Sequence, residues 1–84
     1  MKPTLSDMIS ALVAERLNVP QASIPLDEDF ANLGLESLDA VILSGLLEEQ
    51  IGCPVDPTLF IENRSVSAVA RAMSDHIPDD VNVD

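Results

Sequence analysis

The stretch LGLESLDAV, residues 33–41, decides the fold because it changes from a loop to an amphipathic helix along its length. Gly34 permits backbone angles that other residues resist, and Ser37 is a favoured N-cap residue just before the periodic apolar positions. These features predict a helix that starts at Ser37. Its unpaired N–H groups and the positive end of its dipole would then point toward the serine hydroxyl. An anion attached to that hydroxyl would be well placed.

The helix that follows, Ser37 to Ile51, is apolar on more of its circumference than one core contact requires. Residues placed at steps of about 100° fall into two arcs. The uncharged arc is predicted to face the core and contains Ala40, Leu43, Ser44, Leu47 and Ile51. The second arc contains Leu38, Val41, Ile42, Gly45, Glu48 and Glu49. Glutamates are seldom buried unpaired, so we expect an exposed, acid-rimmed apolar patch beside the serine, which is typical of a contact site. Burial of both arcs within a bundle is the alternative.

Upstream, a first helix is predicted from the spacing of apolar residues. Thr4 and Asp7 have the spacing of a variant capping box, and Asn18 with Pro20 is predicted to end the helix. The apolar stripe is Leu5, Met8, Ile9, Leu12, Val13 and Leu17.

Residues 18–36 contain no long periodic element. A connection of this length in a small domain is expected to have a function or to pack on itself. We expect it to pack through Val19, Ile24, Leu26, Phe30, Leu33 and Leu35, with one helical turn at residues 20–24.

Downstream, two further helices are predicted. Gly52 stands where a C-cap glycine belongs, and Asp56 with Pro57 is typical of the N-cap and first position of a short helix that ends near Glu62. Phe60 and Ile61 are expected to close the bundle. Ser65 is predicted to cap a last helix with the inner stripe Val66, Val69, Ala70, Met73 and Ile77.

Composition supports an all-α fold. Of 84 residues, 46% are hydrophobic, but neither tryptophan nor tyrosine occurs. An aliphatic core suits small packed helices better than a sheet. We therefore predict one small four-helix bundle over residues 1–78, with three longer helices, one short helix and a long loop between the first two. Residues 79–84 are predicted to be an acidic, disordered tail.

The charge of the chain limits its partners. The net charge is −11, and residues 18–63 contain nine acids and no base. Nucleic acid is disfavoured because phosphates require a basic face. The acidic field around Ser37 would instead attract basic protein surfaces. An acidic surface that serves only solubility is the alternative.

Other chemistry receives little support. Cys53 is the single cysteine, and no apolar run approaches a membrane span, so we expect a cytoplasmic protein without disulfides or membrane contact. The acids at 27–29 lack the glycine and distal glutamate of a calcium loop, so no metal site is expected. A hydrolase built on Ser37 and His76 would lack a third group and an oxyanion motif.

The run from Phe30 to Glu49, centred on LGLESL, resembles the attachment site of the acyl carrier protein family. The likeness extends from about Leu5 to Met73. In that family the serine carries a 4′-phosphopantetheine arm and usually follows an aspartate, which Glu36 replaces here. Family members often carry another acid at the position of Ile42. Leu35 and Glu36, in place of the glycine and histidine common in peptidyl carriers, favour polyketide or fatty-acyl chemistry.

The resemblance implies a discrete, monomeric, non-catalytic carrier with 4′-phosphopantetheine attached at Ser37, whose thiol holds acyl or aminoacyl groups as thioesters. It implies as partners a phosphopantetheinyl transferase, an acyl-loading ligase or acyltransferase, and a ketosynthase or other acyl-transfer enzyme. The implied docking residues are Glu36, Leu38, Asp39, Val41, Ile42, Glu48 and Glu49. The competing hypothesis is an acidic helical adaptor or inhibitor in which Ser37 is only a helix cap.

Overall fold

Four α-helices follow one another in the computed structural model, which describes residues 4–76 and their side chains as far as Ser74. They are α1 (Leu5–Leu17), α2 (Ser37–Ile51), α3 (Thr58–Glu62) and α4 (Val66–His76). Helix α1 packs on α2 and α4, and α3 contacts both α2 and α4. Since residues 4–76 contain no strand, the predicted all-α bundle with one short helix is confirmed.

The ends of α1 lie where its sequence predicts them. The Thr4 hydroxyl accepts a hydrogen bond from the Asp7 N–H at 3.1 Å, and the Asp7 carboxylate accepts one from the Thr4 N–H at 3.2 Å. Asn18 ends the helix in the left-handed conformation with φ 59°. The predicted capping box and the predicted helix end at Asn18 are therefore confirmed. Both pair backbone groups that the end of a helix leaves without partners.

The core is aliphatic apart from Phe30 and Phe60, and it lies where the helices meet. The predicted inner arc of α2 is confirmed: Ala40, Leu43, Ser44 and Leu47 are buried, and Ile51 is partly buried. On α4 the described part of the inner stripe is also buried, namely Val66, Val69, Ala70 and Met73.

The connection between α1 and α2 packs on the bundle through only some of its predicted anchors. Ile24, Phe30 and Leu35 are buried, and the expected turn near residue 20 is a 3₁₀ helix, Gln21–Ser23. A second 3₁₀ helix, Phe30–Leu33, was not predicted. Val19 and Leu26 are exposed, so the prediction for these two was wrong. The main chain holds them instead, because the Val19 N–H donates to the Ala14 carbonyl and the Leu26 carbonyl accepts from the Ser67 N–H.

The second half of the chain differs from the prediction in small ways. Helix α3 begins at Thr58 with Pro57 as its N-cap, so the prediction of Asp56 as N-cap and Pro57 as first residue was wrong by one residue. The Asp56 carboxylate still accepts hydrogen bonds from the Thr58 N–H and hydroxyl, both at 2.9 Å. The Ser65 hydroxyl accepts from the Ala68 N–H at 3.1 Å, as a cap of α4 should. Phe60 is buried, but Ile61 is 43% exposed and does not close the bundle.

Ile77 and the predicted tail, residues 79–84, lie outside the described residues, as does the side chain of His76. The proposed domain limits of 1–78 and 79–84 therefore stay a prediction.

Gly45 within α2 and Gly52 at its C-cap should respond oppositely to substitution by alanine. Gly52 adopts φ 73° at the helix end, whereas Gly45 lies inside the helix, and a Cβ at either would meet no atom within 4 Å. We expect Gly52→Ala to lower the free energy of unfolding by roughly 1 to 2 kcal/mol, because a side chain resists the left-handed conformation. Gly45→Ala should raise it by about 0.5 to 1 kcal/mol through helix propensity alone. Urea denaturation of the two variants measures both changes. A change of the same sign in the free energy of unfolding of both variants would contradict this prediction.

Candidate functional site

Ser37 is the first residue of α2, and its side chain is exposed. Its hydroxyl forms no hydrogen bond with any of residues 4–76. The serine follows a loop that Gly34 turns with φ 90°, in the left-handed region that glycine adopts readily. The hydroxyl is therefore open to a reagent that approaches from solvent.

The N-cap of α2 is Glu36, so the prediction that Ser37 caps this helix was wrong by one residue. Glu36 has the extended backbone of an N-cap, with φ −122° and ψ 179°. Its N–H donates to Asp39 Oδ2 at 2.7 Å, and its carbonyl accepts from the Asp39 N–H at 2.9 Å. The carboxylate of Asp39 thus pairs with the Glu36 N–H, and the serine hydroxyl has no capping role.

Asp39 also receives the guanidinium of Arg16, which reaches it from the last turn of α1. Arg16 Nε donates to Asp39 Oδ1 at 2.6 Å, and the side chain of Asp39 is only 13% exposed. The Glu36 N–H, and after it the Arg16 guanidinium, hold the pKa of Asp39 below its ordinary value. Both contacts favour the charged carboxylate, so Asp39 stays ionised at neutral pH.

A cleft of about 210 Å³ opens beside Ser37 between α2, α3 and the second 3₁₀ helix, Phe30–Leu33. We call it the Ser37 cleft. Its apolar lining consists of Phe30, Leu35, Ala40, Leu43, Phe60 and Ile61. Glu36, Ser37 and Arg64 supply its polar lining. A group attached to the serine would therefore have an apolar surface within reach.

Contacts between residues that are far apart in the sequence hold the wall of this cleft. Asp29 accepts a hydrogen bond from Arg64 Nε at 3.2 Å, and the Phe30 N–H donates to the Arg64 carbonyl at 2.7 Å. The rings of Phe30 and Phe60 stack with centroids 6.0 Å apart. Arg64, followed by the Ala31 N–H, holds the pKa of Asp29 below its ordinary value. These contacts fix the loop that leads to Ser37.

The predicted docking residues extend from the residue before α2 to its last turn, and their environments differ. Leu38 is 68% exposed and Val41 51% exposed, whereas Ile42 is partly buried rather than exposed as expected. Glu36, Glu48 and Glu49 are exposed. The Glu48 carboxylate accepts a hydrogen bond from the Val55 N–H at 2.9 Å, so it also holds the turn after α2. We call Leu38, Val41, Ile42, Glu48 and Glu49 the outer face.

Residues 18–63 contain no basic residue, but two arginines from outside this range pair with acids within it. Of the two, Arg16 pairs with Asp39, and Arg64 lines the Ser37 cleft. Sequence reasoning gave neither arginine a role. The spacing of Glu36 and Asp39 was an available signal, because an acid three residues after an N-cap is typical of a capping box.

Other kinds of site find no support within residues 4–76. No group of three or more acidic, histidine or cysteine side chains there could hold a metal ion. None of the helices in this range combines the length and apolarity needed to cross a bilayer. Cys53 is a partly buried free thiol.

The fold and the exposed serine define a small helical domain that presents one hydroxyl at a helix start. The family described as "Phosphopantetheine attachment site" matches residues 7–73, so the chain belongs to that family of carrier domains. Its members attach 4′-phosphopantetheine covalently. An exposed, unpartnered hydroxyl beside a cleft with a partly apolar lining fits such an attachment.

Similar proteins agree with this assignment. The chain is 42% identical over 71 residues to the non-reducing polyketide synthase stbA of Stachybotrys bisbyi, covering 84% of the chain but 3% of that protein. The chain thus spans a small fraction of the length of such synthases. A free-standing peptidyl carrier protein from Acinetobacter baumannii matches with TM-score 0.81 and 30% identity over 88% of this chain and 92% of its own. BlmI, a type-II acyl carrier protein from Streptomyces verticillus involved in bleomycin biosynthesis, matches with TM-score 0.79 and 27% identity, covering 88% of this chain and 87% of its own.

Proposed function

We propose that Ser37 is the attachment residue and that the chain presents acyl or aminoacyl groups to biosynthetic enzymes without catalysing a reaction itself. The observation that carries this proposal is the exposed Ser37 hydroxyl, which has no partner among residues 4–76 and does not cap its helix. The bound arm supplies a thiol that holds these groups as thioesters. The polyketide synthases among the relatives support acyl chemistry.

The residues around Ser37 suit the attachment of an anion. The first turn of α2 leaves backbone N–H groups and the positive end of the helix dipole at the serine, which favours a phosphodiester there. The apolar lining of the Ser37 cleft offers a surface to the arm or to its cargo. Arg64 lies at this cleft and already pairs with Asp29, so it offsets part of the acidic field.

The enzymes that modify and load the carrier are proposed to dock on the outer face. Leu38 and Val41 give exposed apolar area next to Ser37, while Glu48 and Glu49 give negative charge to basic surfaces. A carrier must release each enzyme, so weak and salt-sensitive binding is expected. A phosphopantetheinyl transferase, an acyl-loading ligase or acyltransferase, and a ketosynthase are the partner classes we propose.

Modification of Ser37 tests the proposal directly. Incubation with coenzyme A and a broad-specificity phosphopantetheinyl transferase should add the mass of one phosphopantetheine per chain. We expect Ser37→Ala to abolish the addition completely because the attacking oxygen is gone. Intact-mass spectrometry measures the shift, and peptide mapping assigns it to the segment that contains residue 37.

Ser23→Ala is the matched control, since Ser23 is another exposed serine, at the end of a 3₁₀ helix. This variant should load like the unaltered chain. A mass shift that survives in Ser37→Ala would place the attachment elsewhere. No shift in the unaltered chain would contradict the carrier proposal and favour an acidic adaptor.

A further inference from the structure

One carboxylate connects the end of α1 to the start of α2. Asp39 Oδ1 accepts from Arg16 Nε at 2.6 Å, and Asp39 Oδ2 accepts from the Glu36 N–H at 2.7 Å. Arg16 and Asp39 are 23 residues apart in sequence. The two oxygens therefore join a side chain of the first helix to the backbone of the residue that precedes Ser37.

This bridge is made at the helical turn that contains the serine. Ser37 lies between Glu36 and Asp39, and its hydroxyl has no hydrogen bond of its own within residues 4–76. Its position thus depends on the backbone of residues 36–40, where the Glu36 carbonyl accepts from the Asp39 and Ala40 N–H groups. Helix ends fray when their caps are lost. Without Arg16, the side chain of Asp39 loses one of its two hydrogen bonds and is held less firmly against the Glu36 N–H.

We propose that Arg16 is a positioning residue for modification at Ser37, acting through Asp39 to hold the first turn of α2 in the geometry that the transferase requires. This inference rests on the proposed function. In the reaction the Ser37 oxygen forms a bond to the pantetheine-side phosphorus of coenzyme A. The bond from that phosphorus to the bridging oxygen breaks, adenosine bisphosphate leaves with that oxygen, and the serine proton passes to a base of the transferase. A displaced serine oxygen slows such a step because reacting atoms must be aligned.

A simple charge effect predicts the opposite result. Loss of Arg16 makes an already acidic surface more negative, which should strengthen attraction to a basic partner and lower KM. Loss of positioning should instead lower kcat with little change in KM. The sign of the change in kcat/KM, and the parameter that carries it, therefore separate the two effects.

The experiment compares Arg16→Gln with Arg71→Gln under steady-state loading by the transferase. Arg71 is exposed on α4 and lines a separate groove with Thr4, Ser6 and Ser67, so its variant loses the same charge away from Ser37. We expect Arg16→Gln to lower kcat about tenfold. Arg71→Gln should leave kcat unchanged. Arg16→Lys should recover part of the loss, because an ammonium can also donate to Asp39.

Amide hydrogen exchange supplies a second readout that does not use the transferase. Exchange at residues 36–40 should be faster in Arg16→Gln than in the unaltered chain, while the buried amides near Val13 and Val69 stay protected. If Arg16→Gln does not fold, Asp39→Asn tests the same bridge, because its amide nitrogen cannot accept the second hydrogen bond. Asp39→Asn should then show the same loss in kcat.

The outcomes separate this inference from the proposed function. Loading of Arg16→Gln with the kcat of the unaltered chain contradicts the inference and leaves Ser37 as the attachment residue. A rise in KM alone also contradicts it, because the arginine would then act in docking. If the unaltered chain accepts no phosphopantetheine, the proposed function itself has failed.

Discussion

Leu47→Ala should lower the free energy of unfolding by about 2 to 5 kcal/mol. Leu47 is fully buried on the inner arc of α2, and it belongs to the single core cluster found within the described residues. The loss combines the lost burial of its methyl groups with the cavity that neighbouring helices cannot close. A chain of this length has a total stability of roughly 4 to 13 kcal/mol, so this one substitution removes a large share of it.

Leu38→Ala is the control, because Leu38 is the same residue type on the same helix but lies in solvent. Its unfolding free energy should change by less than about 0.5 kcal/mol, since alanine is a slightly better helix former than leucine. Urea denaturation followed by circular dichroism measures both variants. A loss below about 1 kcal/mol for Leu47→Ala would mean that the inner arc does not form the core.

The sequence predicts those parts of the fold that depend on neighbours along the chain. The Thr4 capping box, the helix ends at Asn18 and Gly52, and the inner arc of α2 all follow from spacings of a few residues. Such signals are local because helix caps and helix faces involve residues within two turns. The structure confirms each of them.

The candidate site depends on contacts that spacing cannot provide. Arg16 reaches Asp39 over 23 residues, and Arg64 reaches Asp29 over 35. These two contacts form only when α1 packs on α2 and when the long loop folds onto the start of α4. A list of charges along the sequence therefore overestimated the uniformity of the negative field around Ser37.

Apolar residues in the loop before α2 and at the end of the short helix α3 were the other source of error. Val19, Leu26 and Ile61 are exposed although each was assigned to packing. Inside a helix the periodicity states which side a residue occupies. A loop or a helix end has no such rule, and backbone hydrogen bonds rather than side chains hold Val19 and Leu26 in place.

Leu38→Glu should raise the KM of the phosphopantetheinyl transferase for this carrier by about 10-fold to 100-fold, which corresponds to about 1.4 to 2.8 kcal/mol. Leu38 follows Ser37 directly, and 68% of its surface is exposed. A partner that acts on Ser37 must cover this side chain, and it would then have to desolvate a carboxylate in place of an apolar group. Folding should be unaffected because the residue contributes little to the core.

The matched control is Leu26→Glu, which makes the same change at an exposed leucine in the loop before α2. The backbone of Leu26 is bound to the start of α4 through the Ser67 N–H, so its position should not depend on its side chain. This variant has the same net charge as Leu38→Glu, and its KM should stay within about twofold of the unaltered chain. An equal rise in both variants would attribute the effect to charge alone. No rise in Leu38→Glu would remove Leu38 from the docking surface, because a residue covered by the partner cannot accept a buried charge without cost.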